Sequence, residues 1–469
     1  MMDAGRHPNI KLLTYSDVVD VKGYVGSFQV KVRQRPRYVN LDLCTGCGAC
    51  VEACVFKKGV PNEFDEGLSR RKAAYIPNNG QGVPMKAVID ADACLLLARG
   101  KCVKKCVDVC PTDAIDFEQK EQFVDVNVGT IVIATGFDLF DPARLAAFGW
   151  GKSPNIIDGM QFERLSSATG PTQGEILTKE GKKPERVAII HCVGSRDSNA
   201  NLYCSRVCCM YSLKHAHLVR DKTGAEVFEF YMDIRAFGKG YEEFYERVQE
   251  EGVYFVRGRG AEVTVQDDGQ IVVKAEDTTL GIPVAINVDM VVLATAMEPQ
   301  KDTSKVASLF GLSKSPDGFF MEAHPKLRPF HTNTEGVFLG GTCQSPKDVP
   351  DTVAHANAAA AEALSLLSRG EVVISPQTAL VDEKLCSGCK TCLTLCPYTA
   401  ISFEVRGENG VAIVNEALCK GCGTCVAACP AGAITARHFS DEQIMAELMG
   451  LFGSPVMEAV GPVLEPSQG

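Results

Sequence analysis

Leu41–Cys54 reads LDLCTGCGACVEAC, which sets Cys44, Cys47, Cys50 and Cys54 in C-x₂-C-x₂-C-x₃-C spacing. Thiolates at such intervals let one loop wrap an iron–sulfur cube, and in two-cluster ferredoxins the fourth cysteine of the run serves the other cluster. A near copy, KLCSGCKTCLTLCP, places Cys386, Cys389, Cys392 and Cys396 before a proline. Working outward, the chain has 21 cysteines. Its start, MMDAGRHPNI, has no apolar signal core, and no apolar run approaches a bilayer span. Thiols in such a chain read as metal ligands, not as disulfides, and imply a reducing cytoplasm, that of an anaerobe.

The length of 469 residues suits about three domains. Hydrophobic content of 45% and charge of 23% are ordinary for a globular protein, and the net charge of −10 argues against a nucleic-acid binder.

Twenty cysteines fall into five sets of four, with Cys343 left over, and five sets suit five [4Fe–4S] clusters. The C-terminal pair is regular. By the ferredoxin exchange rule, Cys386, Cys389, Cys392 and Cys429 take one cluster, and Cys396, Cys419, Cys422 and Cys425 the other. Zinc also binds paired C-x₂-C motifs, but two dense runs with trailing Pro397 and Pro430 favour clusters. The first block is stretched. Cys44, Cys47, Cys50 and Cys110 are expected to share one cluster, and Cys54, Cys94, Cys102 and Cys106 another. The middle set is Cys192, Cys204, Cys208 and Cys209. On one helix Cys204 and Cys208 would share a face, and Cys192 ends the preceding strand, so the four are expected to meet at a sheet edge. Four buried apolar thiols are the alternative.

Between the cysteine blocks the pattern is α/β. GSFQVKVRQRP alternates like a strand, breaks off for the first cysteine block, and resumes at QFVDVNV and GTIVIATGF, as if a ferredoxin were inserted into a hairpin. RVAIIHCVG, AEVFEFYMD, VYFVRG and DMVVLATAM read as buried strands. SRVCCMYSLKHAHLVRD and GYEEFYERVQEEG read as helices, and AEVTVQDDGQIVVKAED as a hairpin turning at Asp268-Gly269. A nicotinamide turn would read G-x-G-x-x-G, whereas HCVGSRDSN offers Gly194 alone, so no NAD(H) site is expected.

GTIVIATGF and GVFLGGTC, followed by the helix VPDTVAHANAAAAEAL, resemble the two return segments of the thioredoxin-reductase-like flavoprotein fold. That resemblance implies flavin contacts from Ala134, Thr135 and Gly136, from Gly340, Gly341 and Thr342, and from the helix start at Asp351, Thr352 and Val353. Thr342 and Cys343 stand where the fold often has aspartate. The G-x-G-x-x-G for the ADP half of FAD is absent, and the first strand expected is IKLLTYSDVVDV, so the first dinucleotide-binding domain is expected to be incomplete.

Taken together, GRHPNIKLLTYSDV, QFERLSSATGPT, HCVGSRD, YCSRVCCMYSLKHA and GVFLGGTCQSPKDVPDTVAHANAAAA resemble the A-type polypeptide of heterodisulfide reductase. The resemblance implies an oxidoreductase active within a complex of B- and C-type subunits. It also implies FAD, and a hydrogenase or formate dehydrogenase feeding in electrons through a small iron–sulfur adaptor. Flavin-based electron bifurcation toward ferredoxin and a disulfide-reducing partner is the implied chemistry, with Lys214 near the flavin N5 edge. An N-terminal segment of that family is missing here. The expectation is that a separate polypeptide supplies that half of the FAD site, or that the start is miscalled. The expected organisation is a partial FAD-binding domain at 1–37, an inserted ferredoxin at 38–118, and returns to the FAD-binding domain at 119–154 and 301–372. A second nucleotide-binding-like domain spans 155–300, a C-terminal ferredoxin 373–437, and a helix and tail 438–469, loosely ordered beyond Gly453. The rivals are a flavin-free polyferredoxin and a related protein linking quinone modules to sulfur-metabolism reductases.

Overall fold

A parallel sheet of five strands centres on Arg186–Val193, in the order Ile156–Asp158, Met290–Thr295, Arg186–Val193, Glu226–Tyr231, Tyr254–Arg257. The computed structural model describes residues 2–373, 376–406 and 409–452, and the tail expected beyond Gly453 lies outside them. Parallel strands must be covered on both faces, which is why RVAII and MVVLAT read as unbroken apolar runs. One face carries the helices Gly159–Ser166, Cys208–Thr223 and Tyr241–Glu250, whose Phe162, Leu213, Ala216 and Val248 pack on Val187, Ile189 and Val292. The other face carries an antiparallel meander of Gly260–Val265, Ile271–Asp277 and Ile282–Val288. The expected hairpin therefore has a third strand. IPVAINV was hidden by Pro283, which is tolerated because this strand is an edge.

A second, smaller layer begins with Ser16–Tyr24, Ser27–Gln34 and Gln122–Val128 in one antiparallel sheet. Gln34 pairs with Ser16 on one side and Gln122 on the other, so the chain leaves the sheet after Gln34 and re-enters beside the same strand. The first strand starts at Ser16, not Ile10, because Tyr15 takes a φ of 57°, which interrupts extended backbone. Ile131–Ile133 then pairs in parallel with Val337–Leu339, and both strands run into turns beneath the helix Val349–Arg369, which ends at Gly370. Val25, Phe28, Ile133, Leu339 and Cys343 form the core here.

The two cysteine-rich modules pack their cysteines among small apolar residues such as Ala74, Ile89, Ala412 and Ile434. The buried residues of the inserted module include Cys44 and Cys94, and those of the C-terminal module include Cys392 and Cys425. Modules this small usually need a metal to fold.

The inserted module is anchored to the α/β unit by one buried ion pair. Asp65 is 2% exposed and Arg164, on the Gly159–Ser166 helix, 9%. Arg164 donates to Asp65 Oδ1 from Nε at 3.0 Å and from Nη2 at 2.9 Å, while Ser69 and Asn62 donate to Oδ2 at 2.5 and 2.9 Å. The guanidinium also lies 4.3 Å from the Phe64 ring centre. Burial alone would raise the Asp65 pKa, but the Ser69, Arg164 and Asn79 hydrogen bonds outweigh it and hold the carboxyl below the usual range. The anchor is therefore fully formed above the ordinary aspartate pKa and weakens as pH falls below it. Asp65→Asn leaves the Arg164 charge unpaired and is expected to cost about 3–5 kcal/mol. Hydrogen exchange should speed up in residues 62–69 and 159–166 with the iron content unchanged. Unaltered protection would show that the anchor does not hold the module.

Candidate functional site

Each ferredoxin-like module wraps two hollows, and each hollow is lined by four cysteines from both halves of its motif. Cys44, Cys47, Cys50 and Cys110 line one, and Cys54, Cys94, Cys102 and Cys106 the next. In the C-terminal module the sets are Cys386, Cys389, Cys392 and Cys429, and Cys396, Cys419, Cys422 and Cys425. The short helices Ala49–Ala53, Lys105–Asp108, Thr391–Leu395 and Thr424–Ala427 each present a cysteine. Before each of them the chain turns through a left-handed residue, at Gly48, Lys104, Lys390 or Gly423. Backbone N–H groups of Ala114, Ala400 and Ala433 donate to Cys110, Cys396 and Cys429 at 3.2 to 3.4 Å. Such bonds favour the thiolate. Among the described residues no three His, Cys, Asp or Glu side chains converge as a single ion requires. Four thiols around each hollow suit a four-cysteine cluster.

The middle set forms differently. The helix begins at Cys208, because Arg206 takes a φ of 62° and cannot continue a right-handed helix backward. Cys204 therefore lies on a loop, not on a shared helical face as expected. Ser205, fully buried, accepts the Met297 N–H at 3.0 Å and so ties that loop to the end of the Met290–Thr295 strand. Cys192 takes a φ of 57° where the register with that strand shifts. Cys192, Cys208 and Cys209 are buried. Burial, with the neighbouring Cys209 thiol, pushes Cys192 up to about 11, and burial with the adjacent thiols raises Cys208 further. Thiols crowded in this way cannot all ionise unaided, and cationic iron would relieve this. The site lies at the C-terminal end of the central strand, where open α/β sheets hold ligands.

Behind this set lies a buried pair that no motif marked. His191 Nε2 bonds Glu229, from the adjacent strand, and both side chains are at most 1% exposed. Burial opposes charge on the imidazole, but the Glu229 carboxylate and the Cys209 sulfur together outweigh it and raise the His191 pKa. Cys209 is in turn lowered, because His191 outweighs the effect of burial. A histidine and a glutamate inside otherwise apolar strands were the available signal.

The turn residues expected at a flavin come together. Ala134, Thr135 and Gly136 follow one parallel strand and Gly340, Gly341 and Thr342 follow its partner. Gly136 has φ +82°, and an added Cβ would find its nearest atoms, on Gln300 and Thr342, at 3.9 and 4.0 Å. That is open space beside a turn. At Gly341, φ +72°, a Cβ would press on Thr352 at 3.1 Å. The Gly341 N–H donates to buried His355 at 3.0 Å. Cys343 turns inward and donates to the Ile133 carbonyl at 3.2 Å. Asp351, Thr352 and Val353 occupy the first turns of the long helix, which starts at Val349 with Asp348 as its cap. Arg206 donates to Asp351 at 2.7 Å, so the loop carrying Cys204 touches that helix start. These residues fit a flavin's ring half. His215 donates to Glu163 on the neighbouring helix at 2.9 Å and Lys214 pairs with the same carboxylate, which together lower Glu163 to about 2.

Residues 385–442 match the model of a 4Fe–4S dicluster domain and residues 37–54 that of a 4Fe–4S binding domain. Over 452 residues, 96% of this chain and 67% of the relative, the sequence is 50% identical to the A subunit of the H(2):CoB-CoM heterodisulfide,ferredoxin reductase of Methanothermobacter thermautotrophicus. The chain belongs to the family of heterodisulfide reductase A subunits. It is 49% identical to the second iron-sulfur A subunit of the CoB–CoM heterodisulfide reductase of Methanopyrus kandleri, over 97% of this chain and 69% of that one. It is 44% identical to the A subunit of the H(2)/formate:CoB-CoM heterodisulfide,ferredoxin reductase of Methanococcus maripaludis, over the same shares. The thioredoxin reductase of T. acidophilum superimposes with a TM-score of 0.36 at 14% identity, over 69% of this chain and 94% of that one. An iron–sulfur oxidoreductase polypeptide is thereby established.

The exchange of cysteines between motif halves yields a count. Cys47→Ser and Cys110→Ser strike one hollow, so the double variant should lose no more iron than either single change. Cys54→Ser with Cys110→Ser strikes two and should lose twice as much, measured on protein purified without oxygen.

Proposed function

We propose that the chain is the electron-distributing subunit of a heterodisulfide reductase-type complex, holding five [4Fe–4S] clusters and the ring half of an FAD. The carrying observation is the Arg206–Asp351 ion pair at 2.7 Å, which joins the loop of the middle cysteine set to the helix start at the flavin turn. One cluster beside the flavin and two ferredoxin arms are the parts that bifurcation requires. A bound flavin would exchange electrons in pairs with a donor and singly with the clusters. On this reading the polypeptide orients and insulates its cofactors. Cys192, Cys204, Cys208 and Cys209 hold the cluster beside the flavin, and the Gly136 and Gly341 turns admit the ribityl chain. The inserted and C-terminal modules lead electrons in or out.

The names of the relatives, which mention hydrogen, formate and ferredoxin, support a hydrogenase or formate dehydrogenase module as donor and ferredoxin as one acceptor. We assign the complex, with its B- and C-type subunits and iron–sulfur adaptor, to the cytoplasm. The domain boundaries are proposed as 1–37, 38–118, 119–154, 155–300, 301–372 and 373–437. A flavin-free polyferredoxin is the second reading, because four of the five cysteine sets line the hollows of the two ferredoxin-like modules. Anaerobic reconstitution with FAD, alone and with a polypeptide carrying an N-terminal nucleotide-binding half, separates the two. Stoichiometric flavin in either preparation supports the flavoprotein, and iron without flavin in both leaves the wire. Gly136→Ala, strained at φ +82° and placing a Cβ in the open space beside the turn, should weaken flavin binding about tenfold, near 1.4 kcal/mol, without loss of iron.

A further inference from the structure

The flavin turn carries a buried cation that neither the motifs nor the family models single out. Lys347 follows the Gly340–Cys343 turn and precedes the cap of the long helix. It is 9% exposed. Lysine is seldom buried so deeply unless an anion pairs with it. Here its hydrogen bonds, among the described residues, run to neutral oxygens: Gln344 Oε1, Ser345 Oγ at 2.7 Å and the Ser345 carbonyl at 3.4 Å. The two carboxylates that act on it from a distance are committed elsewhere. Glu322 accepts from Gln344 at 2.8 Å, and Asp351 accepts from Arg206 at 2.7 Å. Burial lowers the Lys347 pKa to about 8, which still leaves most of the ammonium charged at neutral pH.

The helix beside it is poorly placed to supply the positive charge that a reduced flavin needs. Asp348 takes up the Asp351 N–H with its carboxylate at 2.8 Å and the Thr352 N–H with its carbonyl at 2.9 Å, and Pro350 has no N–H. The acidic side chains of Asp348 and Asp351 further neutralise the positive end of the dipole. Arg206 is spent on Asp351. Lys347, beside the Cys343 thiol, makes no hydrogen bond to a carboxylate among the described residues.

We propose that the Lys347 ammonium is the counter-charge for an anionic flavin seated at the Gly136 and Gly341 turns, and that it raises the flavin's reduction potential. The assignment rests on the flavin reading above. Gln344 and Ser345 hold the amine in place, and the loss of its charge is what the flavin would sense.

The test uses the full chain reconstituted with FAD, with the upstream half supplied if uptake requires it. The readouts are flavin affinity and the midpoint potential of the bound flavin. Lys347→Met and Lys347→Gln should shift the reduction equilibrium at least tenfold toward oxidised flavin, about 30 mV downward for a two-electron couple. Lys347→Arg should stay near the parent value. If the two neutral variants lose flavin while the arginine variant keeps it, the charge role also stands. Equal potentials in all four proteins, or equal loss of flavin from all three variants, overturn the role of Lys347 while the parent's flavin remains. A parent chain that takes up no flavin in either preparation overturns the flavin reading and this assignment together.

Discussion

Thiolates crowded together in a protein interior repel one another, and the molecule is arranged around that fact. Burial raises the pKa values of Cys192 and Cys208, the neighbouring thiols raise them further, and only a cationic centre can draw the whole set into the ionised state at once. The same constraint governs the two ferredoxin-like modules, whose cores include the cysteines themselves. Their stability is therefore inseparable from the metal they hold.

The α/β unit uses its sheet to aim the middle cysteine set. A left-handed Cys192 at the end of the central strand and a left-handed Arg206 before the helix break the regular backbone. Strain of this kind persists where the surroundings over-determine it. The surroundings here are the buried Ser205 hydroxyl, which fixes the loop to the neighbouring strand, and the His191–Glu229 pair behind Cys209. Arg206 then carries the loop onto the start of the long helix. One irregular loop thus links the sheet edge, the middle cysteine set and the glycine turns.

Charged contacts fasten the modules at named points. Asp65 and Arg164 fix the inserted module to the helix that also bears Glu163, and Glu163 grips Lys214 and His215 on the cysteine-bearing helix. A polar relay of this kind runs from the inserted module to the cysteine-bearing helix. At the other arm, Lys420 donates to Glu335 at 3.1 Å beside the Arg328 contact.

Cysteine spacing by itself determined the four ferredoxin-type sets, because a loop that must wrap a cube has few permitted intervals. Unbroken apolar runs such as RVAII determined the parallel sheet, because strands covered on both faces admit no alternation. Only the tertiary structure decided that Cys204 stands on a loop, that Ile282–Val288 completes a meander, and that the first strand waits until Ser16. Each of these turns on a backbone angle or an edge position that composition does not encode. The same holds for Lys347, His191 and Glu229. Their importance comes from burial and from which partners are already taken, and those are properties of the packed chain, not of any short stretch of it.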